Sequence, residues 1–340
     1  MSESRYAAAG VDLGSAEAAK ERIAHSVRSA RTRYSVGHIG AFGGMVRIPE
    51  GYRSPILVMS TDGVGTKVMV AREAARFDTV GEDLVNHSVN DILVHGARPL
   101  AFLDYVAGSG LTVDQIAGIV EGVARGCRAH EMALAGGETA QMPGLYQHGD
   151  FDLAGTIVGV VEEAEAIHGE GIVAGDVLVA LASTGLHTNG YTLARSILFD
   201  RMGLQIDSLV PGLPGTVADT LLAVHQSYWK ALTPVLTRVH GMAHITGGGI
   251  PGNLIRVLPE GVEAVIDAGS WRLPPLFALL QKAGAVSAEE MRDVFNLGVG
   301  MIVAVPEASA GAVQAAATEA GVGSWILGRV RAGPQGVRFG

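Results

Sequence analysis

Cysteine is all but missing from this 340-residue chain, with Cys127 the only one, which excludes a disulfide framework and a cysteine-built metal site. No stretch reaches the ~18 consecutive apolar residues that a membrane span needs. The first residues also lack a positively charged start leading into an apolar run. A cytoplasmic protein with no membrane partner is therefore expected. An excess of positive charge is absent too: the net charge of -9 argues against a general nucleic-acid binder, which would show a basic face. No Gly-Lys-Ser or Gly-Lys-Thr occurs, so there is no Walker A loop. Aromatics make up only 5% of the residues while glycine is abundant and 48% are hydrophobic, which suits a compact α/β protein whose small residues let elements pack closely.

The length exceeds what one core usually covers, so about two domains are expected. The polar run Glu162-Glu163-Ala164-Glu165 suggests a boundary near residues 162–175. Cys127 shares an apolar helical stripe with Val113, Ile116, Val120 and Val123 and reads as a core thiol. Lys20, Arg22, Arg28, Arg31 and Arg33 lie on a helix expected over 15–33. They form a solvated face or a phosphate-facing arm.

The stretch around which the chain is organised is Pro55 to Lys67. Ile56 to Met59 reads as a buried strand that breaks into a turn carrying Asp62, Gly63, Gly65, Thr66 and Lys67. Such a turn can bind phosphate and a metal: glycines let backbone N–H groups approach phosphate oxygens, a hydroxyl and an ammonium add donors, and a carboxylate can hold Mg²⁺. The alternative is an ordinary strand-to-loop turn.

A helix is expected over 79–95, with Thr79 and Glu82 forming a capping box. On it Asp83, His87 and Asp91 recur every four residues, as either a surface-charged face or a cation site, to which Asn90 would add an oxygen. Gly136-Gly137-Glu138 reads as a second glycine turn bearing an acid. Gly185 to Gly190, with His187, Thr188 and Asn189, ends a strand where α/β proteins place ligand contacts. Gly247 to Gly249 precede a helix start and would make an anion cradle. Glycine turns at strand ends in both halves favour a site between domains or between subunits.

Together these motifs resemble the phosphoribosylformylglycinamidine cyclo-ligase (aminoimidazole ribonucleotide synthetase) family of purine biosynthesis. The likeness runs through nearly the whole chain. It is carried by Tyr6-x-x-Ala9-Gly10-Val11-Asp12, Gly40-x-Phe42-Gly43, Thr61-Asp62-Gly63-Val64-Gly65-Thr66-Lys67, Val89-Asn90-Asp91 and Phe102-Leu103-Asp104-Tyr105. It continues through Gly136-Gly137-Glu138-Thr139-Ala140-x-Met142-Pro143-Gly144, Gly185-x-His187-x-Asn189-Gly190-Tyr191, His244-Ile245-Thr246-Gly247-Gly248-Gly249 and Phe295-Asn296-x-Gly298-Val299-Gly300-Met301.

The resemblance implies an enzyme, a ligase that uses ATP to phosphorylate the formyl oxygen of formylglycinamidine ribonucleotide and then closes the imidazole ring. It implies an α/β (α+β) fold of two domains. Residues 1–167 would be an ATP-binding domain whose mixed sheet, backed by helices, dimerises into a β-barrel, and 168–340 a C-terminal α/β domain. By residue, it implies Asp62 and Asp91 as metal ligands and His187, Asp91 and Glu138 as catalytic groups. Gly63, Gly65, Thr66, Lys67, Gly136 and Gly137 would bind ATP, and Thr188, Asn189 and Gly190 the ribonucleotide. ATP and Mg²⁺ are the implied cofactors, K⁺ is left open, and the implied assembly is a homodimer. Asn86-His87-Ser88 departs from the small or apolar residues usual in the family, so no role passes to His87. Rival readings are selenophosphate synthetase, thiamine-monophosphate kinase or hydrogenase-maturation relatives, which tend to carry an acid where His244 stands, and a non-catalytic nucleotide-binding protein, for which loss of Asp62, Asp91 and Glu138 would be the sign.

Overall fold

The computed structural model describes residues 13–38 and 40–340, so the motif from Tyr6 to Asp12 lies outside the described residues. Its N-terminal half begins with α1 (Leu13–Ser29) and a small hairpin of β1 (Ser35–Val36) and β2 (Met45–Val46). There follow β3 (Pro55–Gly63), α2 (Lys67–Glu73), α3 (Asp78–Leu93), β4 (Arg98–Gly108), α4 (Val113–Ala129), β5 (Ala133–Gln141) and β6 (Phe151–Glu162). The last four strands among these form a mixed sheet in the order β3-β6-β4-β5. Only β4 and β5 run parallel, joined by the α4 crossover. Thr112 caps α4 through the capping box with Gln115. Cys127 is fully buried on that helix's inner face, as the stripe predicts.

Helices α3 and α4 cover one face of this sheet, where Phe102, Val106 and Ile157 are buried. Val46 and Tyr52 pack over Val160 and Ala101 at one end of the other face, and beyond them Leu57, Met59, Leu103 and Tyr105 stand exposed on it. The expected strand over 56–59 forms, but Ile56, Leu57 and Met59 are exposed and not buried, and it runs beyond its apolar residues, so Asp62 and Gly63 belong to β3 and not to a turn. Likewise Gly136 and Gly137 are not a turn. They lie inside β5, paired with Leu103 and Asp104, and a Cβ on Gly137 would strike the Asp104 side chain.

The C-terminal half contributes β7 (Val177–Ala182), α5 (Tyr191–Arg195), α6 (Val217–Leu221), α7 (Trp229–Leu232), β8 (Gly241–His244), α8 (Gly249–Leu254) and β9 (Val262–Ile266). It ends with α9 (Pro275–Gly284), α10 (Ala288–Val294), β10 (Val299–Val305), α11 (Glu307–Glu319), β11 (Ser324–Ala332) and β12 (Gly336–Phe339). Six strands pair in the order β12-β9-β11-β7-β10-β8. Both faces of this sheet are buried: β7 and β10 send Val179, Leu181 and Val303 to one cluster and Leu178, Ala180 and Ile302 to another. A larger cluster crosses between the halves, joining Val64, Val70 and Leu84 to Leu186, Tyr191, Leu221 and Phe277. That shared core fixes the C-terminal loops against α3 and β3 and so defines the cleft between them.

Candidate functional site

Helix α3 organises the site through a row of polar side chains on its buried flank. Asp83 Oδ1 accepts the His225 backbone N–H at 2.7 Å, Asn86 Nδ2 donates to the His225 carbonyl at 2.8 Å, and Asn90 bridges the Gln226 carbonyl and the Tyr228 N–H at 2.8 and 3.0 Å. These bonds at positions i, i+3 and i+7 satisfy the backbone of the irregular segment 225–228 and pin it to the helix. The row of Asp83, His87 and Asp91 is therefore not a surface-charged face. Asn90 is committed to this ladder, and its oxygen is not free for a cation. No capping box forms at Thr79, because α3 already begins at Asp78 and Glu82 accepts from Arg125 at 2.6 Å.

Lys67 is also turned inward. Its Nζ lies 2.7 Å from Asp83 Oδ2 and donates to the carbonyls of His187 and Ala223 at 3.1 and 2.8 Å, with both charged side chains 0% exposed. Burial pulls the Asp83 carboxyl up to about 6 against the pull of Lys67, and burial lowers the Lys67 ammonium. With its donors spent on protein and no exposed surface, Lys67 does not reach a phosphate. It ties the turn after β3 to the C-terminal half.

Asp62 and Asp91 meet at the mouth of the cleft. The Ser60 hydroxyl donates to Asp62 Oδ2 at 2.6 Å and lies 3.3 Å from Asp91 Oδ2. His87 Nε2 stands 3.5 Å from Asp62 Oδ1 and 3.5 Å from Asp91 Oδ2, with the two carboxylates about a quarter exposed. Burial disfavours a charged His87, but hydrogen bonds and attraction from Asp62 and Asp91 outweigh it and push the imidazole up to about 9. For Asp91 too, burial opposes ionisation and is overcome, by His244 and His87, which hold the carboxyl well below the usual range.

Behind these groups the donors and acceptors form a closed circuit. His244 Nδ1 donates to Asp91 Oδ1 at 2.6 Å, leaving its Nε2 to accept from His225 Nε2 at 3.1 Å. Thr188 Oγ1 lies 3.4 Å from His225 Nδ1 and accepts from His87 Nδ1 at 2.7 Å. His187 stacks on His225 with ring centroids 3.9 Å apart. Burial first, then the neighbouring positive charges, lowers the pKa of His187 well below its ordinary value. Its Nε2 accepts from the Thr184 and Gln226 N–H groups, at 3.2 and 3.4 Å, and its backbone sits at φ +59°. At 1% exposure the His187 ring lies beneath the cleft wall and not at its surface, which corrects its expected contact with ligand.

The cleft itself has a volume of about 500 Å³ and is lined by Ser60, Asp62, His87, Asp91, Asn189, His244, Thr246, Asn253 and Arg256, among others. Of the expected residues, Asp62, Asp91 and Asn189 meet there. Gly63 and Gly65 stay exposed beside them, and Thr66 reaches Thr192 across the domain junction at 3.1 Å. Thr188 is buried in the circuit, and Gly190 sits at φ +76° at the start of α5. The helix after Gly247–Gly249 is only six residues long. Glu138, Gly136 and Gly137 are not brought to the cleft. Glu138 faces Tyr105, Tyr105 faces Ala154, and Ala154 faces Gly63, so three strand spacings intervene. That places Glu138 roughly 14 Å away, on the opposite edge of the sheet.

Sequence reasoning missed His225 and Arg256 and left His87 without a role. His225 falls in a segment of no clear periodicity, and only the α3 ladder shows why a histidine there comes to lie under the site. Arg256 follows the glycine run by seven residues, on the turn after α8, and that helix start was the one available signal.

Comparisons with known proteins agree with this architecture. Residues 43–161 match the family AIR synthase related protein, N-terminal domain, and residues 173–339 its C-terminal counterpart. The chain is 46% identical over 329 residues to phosphoribosylformylglycinamidine cyclo-ligase of Sorangium cellulosum, covering 96% of this chain and 94% of that one. It is 47% identical to the enzyme of the same name from Myxococcus xanthus, covering 96% of each. Among solved structures, thiamine-monophosphate kinase from Stenotrophomonas maltophilia superposes with a TM-score of 0.70 at 17% identity, covering 94% of this chain and 95% of that one. Hydrogenase maturation protein HypE superposes at 0.65 and 19%, covering 92% and 88%. These two share the fold alone, whereas the sequence relatives fix the family: the chain belongs to the phosphoribosylformylglycinamidine cyclo-ligase family.

Proposed function

We propose that this cleft carries out the ATP-dependent ring closure of formylglycinamidine ribonucleotide to aminoimidazole ribonucleotide, with release of ADP and phosphate, in de novo purine synthesis. The observation that carries this reading is the pair of carboxylates, Asp62 and Asp91, facing a cleft that also offers the Asn189 amide, the Thr246 hydroxyl and the Arg256 guanidinium. A neutral amide oxygen is a poor leaving group. Transfer of the terminal phosphoryl group to the formyl oxygen makes it a good one. The amidine nitrogen then adds to the same carbon, a proton is lost, and phosphate departs with that oxygen.

Two partly buried carboxylates that share a single imidazole between them fit a hard divalent ion, and Asp62 and Asp91 would hold Mg²⁺ there. Bound, it would supply charge neutralisation on the transferring phosphoryl group. The protein's own part is positioning. The exposed backbone at Gly63 and Gly65 with Thr66 offers donors to phosphate oxygens, Arg256 offers a bidentate fork to the ribonucleotide phosphate, and Asn189 orients the reacting amide. His187 and Lys67 act from behind, holding the 184–189 loop against β3 and α3.

The open sheet face supports a homodimer. A second copy seated on Leu57, Met59, Leu103 and Tyr105 would cover apolar area that is 38–63% exposed and place the two sheet edges, with Asp62 and Glu138, at the seams of a barrel. A cytoplasmic location accords with soluble substrates, and no helix among the described residues is long and apolar enough to cross a membrane. Purified protein incubated with ATP, Mg²⁺ and formylglycinamidine ribonucleotide should yield ADP and aminoimidazole ribonucleotide in equal amounts. Formation of neither product would end this reading.

A further inference from the structure

We propose that His87 is a third metal ligand, so that Asp62 Oδ1, Asp91 Oδ2 and His87 Nε2 form a one-histidine, two-carboxylate site for a divalent transition ion such as Mn²⁺, Co²⁺ or Zn²⁺. This rests on the reading of Asp62 and Asp91 as metal carboxylates and goes beyond it in assigning the nitrogen and the class of ion.

Three observations carry the assignment. The first is spacing. His87 Nε2 lies 3.5 Å from one oxygen of each carboxylate. Ligand atoms bound at about 2.1 Å to one centre stand roughly 3.0–3.4 Å apart, so each carboxylate oxygen is within a few tenths of an ångström of the separation from the nitrogen that a shared ion requires, and the ion would draw the two carboxylates together. The second is orientation. His87 Nδ1 donates to Thr188 Oγ1 at 2.7 Å, which leaves Nε2 as the nitrogen that faces the carboxylates, and a metal ion bound between them would displace its proton. A histidine that binds metal through one nitrogen is characteristically fixed by a hydrogen bond from the other. His244 does the equivalent for Asp91, donating to its second oxygen at 2.6 Å. The third is access: Asp62, His87 and Asp91 all line the open cleft.

The deeper group of His187, His225 and His244 is close enough to hold an ion as well. Its nitrogens are instead consumed by one another, by Thr188, by Asp91 and by backbone N–H groups, apart from the orphaned His187 Nδ1. An imidazole ligand changes what the site prefers: oxygen-only sites suit Mg²⁺, whereas imidazole draws Mn²⁺, Co²⁺ and Zn²⁺ more strongly.

Titrating metal-free protein with Co²⁺, read by calorimetry and by the visible absorption of the bound ion, tests the assignment. His87→Gln should weaken Co²⁺ binding at least tenfold and alter the absorption band, while Mg²⁺ affinity, read by competition, changes less than threefold. Asp62→Asn should weaken both ions. If Co²⁺ affinity is unchanged in His87→Gln but falls in Asp62→Asn, the nitrogen is not a ligand and the carboxylate site stands. If it is unchanged in both, the carboxylate reading itself fails. Should His87→Gln not fold, Mn²⁺ bound to the unmodified protein serves instead: a directly coupled nitrogen in its pulsed electron-spin spectrum supports the proposal, and its absence overturns it.

Discussion

Asp83 and Asp91 sit two turns apart on the same flank of α3, yet one is fully enclosed and the other faces the cleft. Asp83 has a lysine on one oxygen and a backbone N–H on the other, and no solvent-exposed surface. Asp91 has His244 on one oxygen, while the other points with Asp62 into open space and is approached only by Ser60 and His87. A carboxylate that is fully partnered within the protein serves the fold. One whose second oxygen is aimed at a cleft, beside another carboxylate with which it shares one imidazole, can still take positive charge from a ligand.

Substitution separates the two roles. Asp91→Asn should lower turnover by about 10²–10³-fold, the scale on which enzymes lose rate when one preorganised charge-stabilising group is removed. Its unfolding free energy should fall as well, since His244 and His87 favour the ionised carboxyl in the folded state, but by less than in Asp83→Ala, as measured by urea denaturation. Asp62→Asn should behave the same way. Asp83→Ala should do the reverse and cost roughly 3–5 kcal/mol, because it leaves the Lys67 ammonium buried without a counter-charge. Combining Asp83→Leu with Lys67→Met removes both charges and should recover most of that loss. If Asp83→Ala left stability intact, the two aspartates would not differ in kind.

Asp104 extends the comparison to a buried carboxyl with no cation beside it. Burial alone drives it up to about 7, and only its own backbone N–H opposes. The unfolded carboxyl ionises near 3.8. Between these values the folded state holds the extra proton, so this group's contribution to stability falls as pH rises from about 4 to about 7, by on the order of 1 kcal/mol per pH unit. Asp104→Asn carries no such penalty. Its stability relative to the unmodified chain should therefore climb between pH 5 and pH 8, where Asp83→Ala remains destabilised. A difference independent of pH would show that Asp104 is ionised in the folded state.

How much of this was readable from residues alone follows the same division. Apolar patterning places strands at 176–182, 262–267, 299–305 and 324–330 and helices at 112–130, 275–283 and 308–320, and β7, β9, β10 and β11 and α4, α9 and α11 lie within a few residues of them, because buried faces leave a regular imprint on sequence. Local glycine chemistry misled at Gly136–Gly137: those residues permit close approach inside a strand and do not turn the chain. Lys67 was misplaced because its partner, Asp83, belongs to a different helix, and nothing in Gly-Thr-Lys signals that a buried acid will claim the ammonium. Asp62 and Asp91 were legible as acids in suggestive settings. That His87 and His225 join them depends on α3 gripping residues 225–228, a contact between segments more than 130 residues apart.

The finest test of the comparison is Ser60. Its single hydroxyl proton can serve only one acceptor at a time, and at 2.6 Å Asp62 Oδ2 takes it in preference to Asp91 Oδ2 at 3.3 Å. It thereby holds Asp62 with Oδ1 toward His87 and Oδ2 occupied, much as His244 holds Asp91. Ser60→Ala leaves both carboxylates in place and removes only this restraint. Hydrogen bonds to charged groups contribute about 1.5–3 kcal/mol, and a quarter-exposed acceptor belongs at the low end, so metal affinity and turnover should fall by roughly tenfold. Asp83 shares no atom with Ser60, so thermal unfolding should be almost unmoved. A drop in turnover as deep as that of Asp62→Asn would mean that the hydroxyl touches the reacting groups directly, and that the cleft side of α3 is held together by more than its two aspartates.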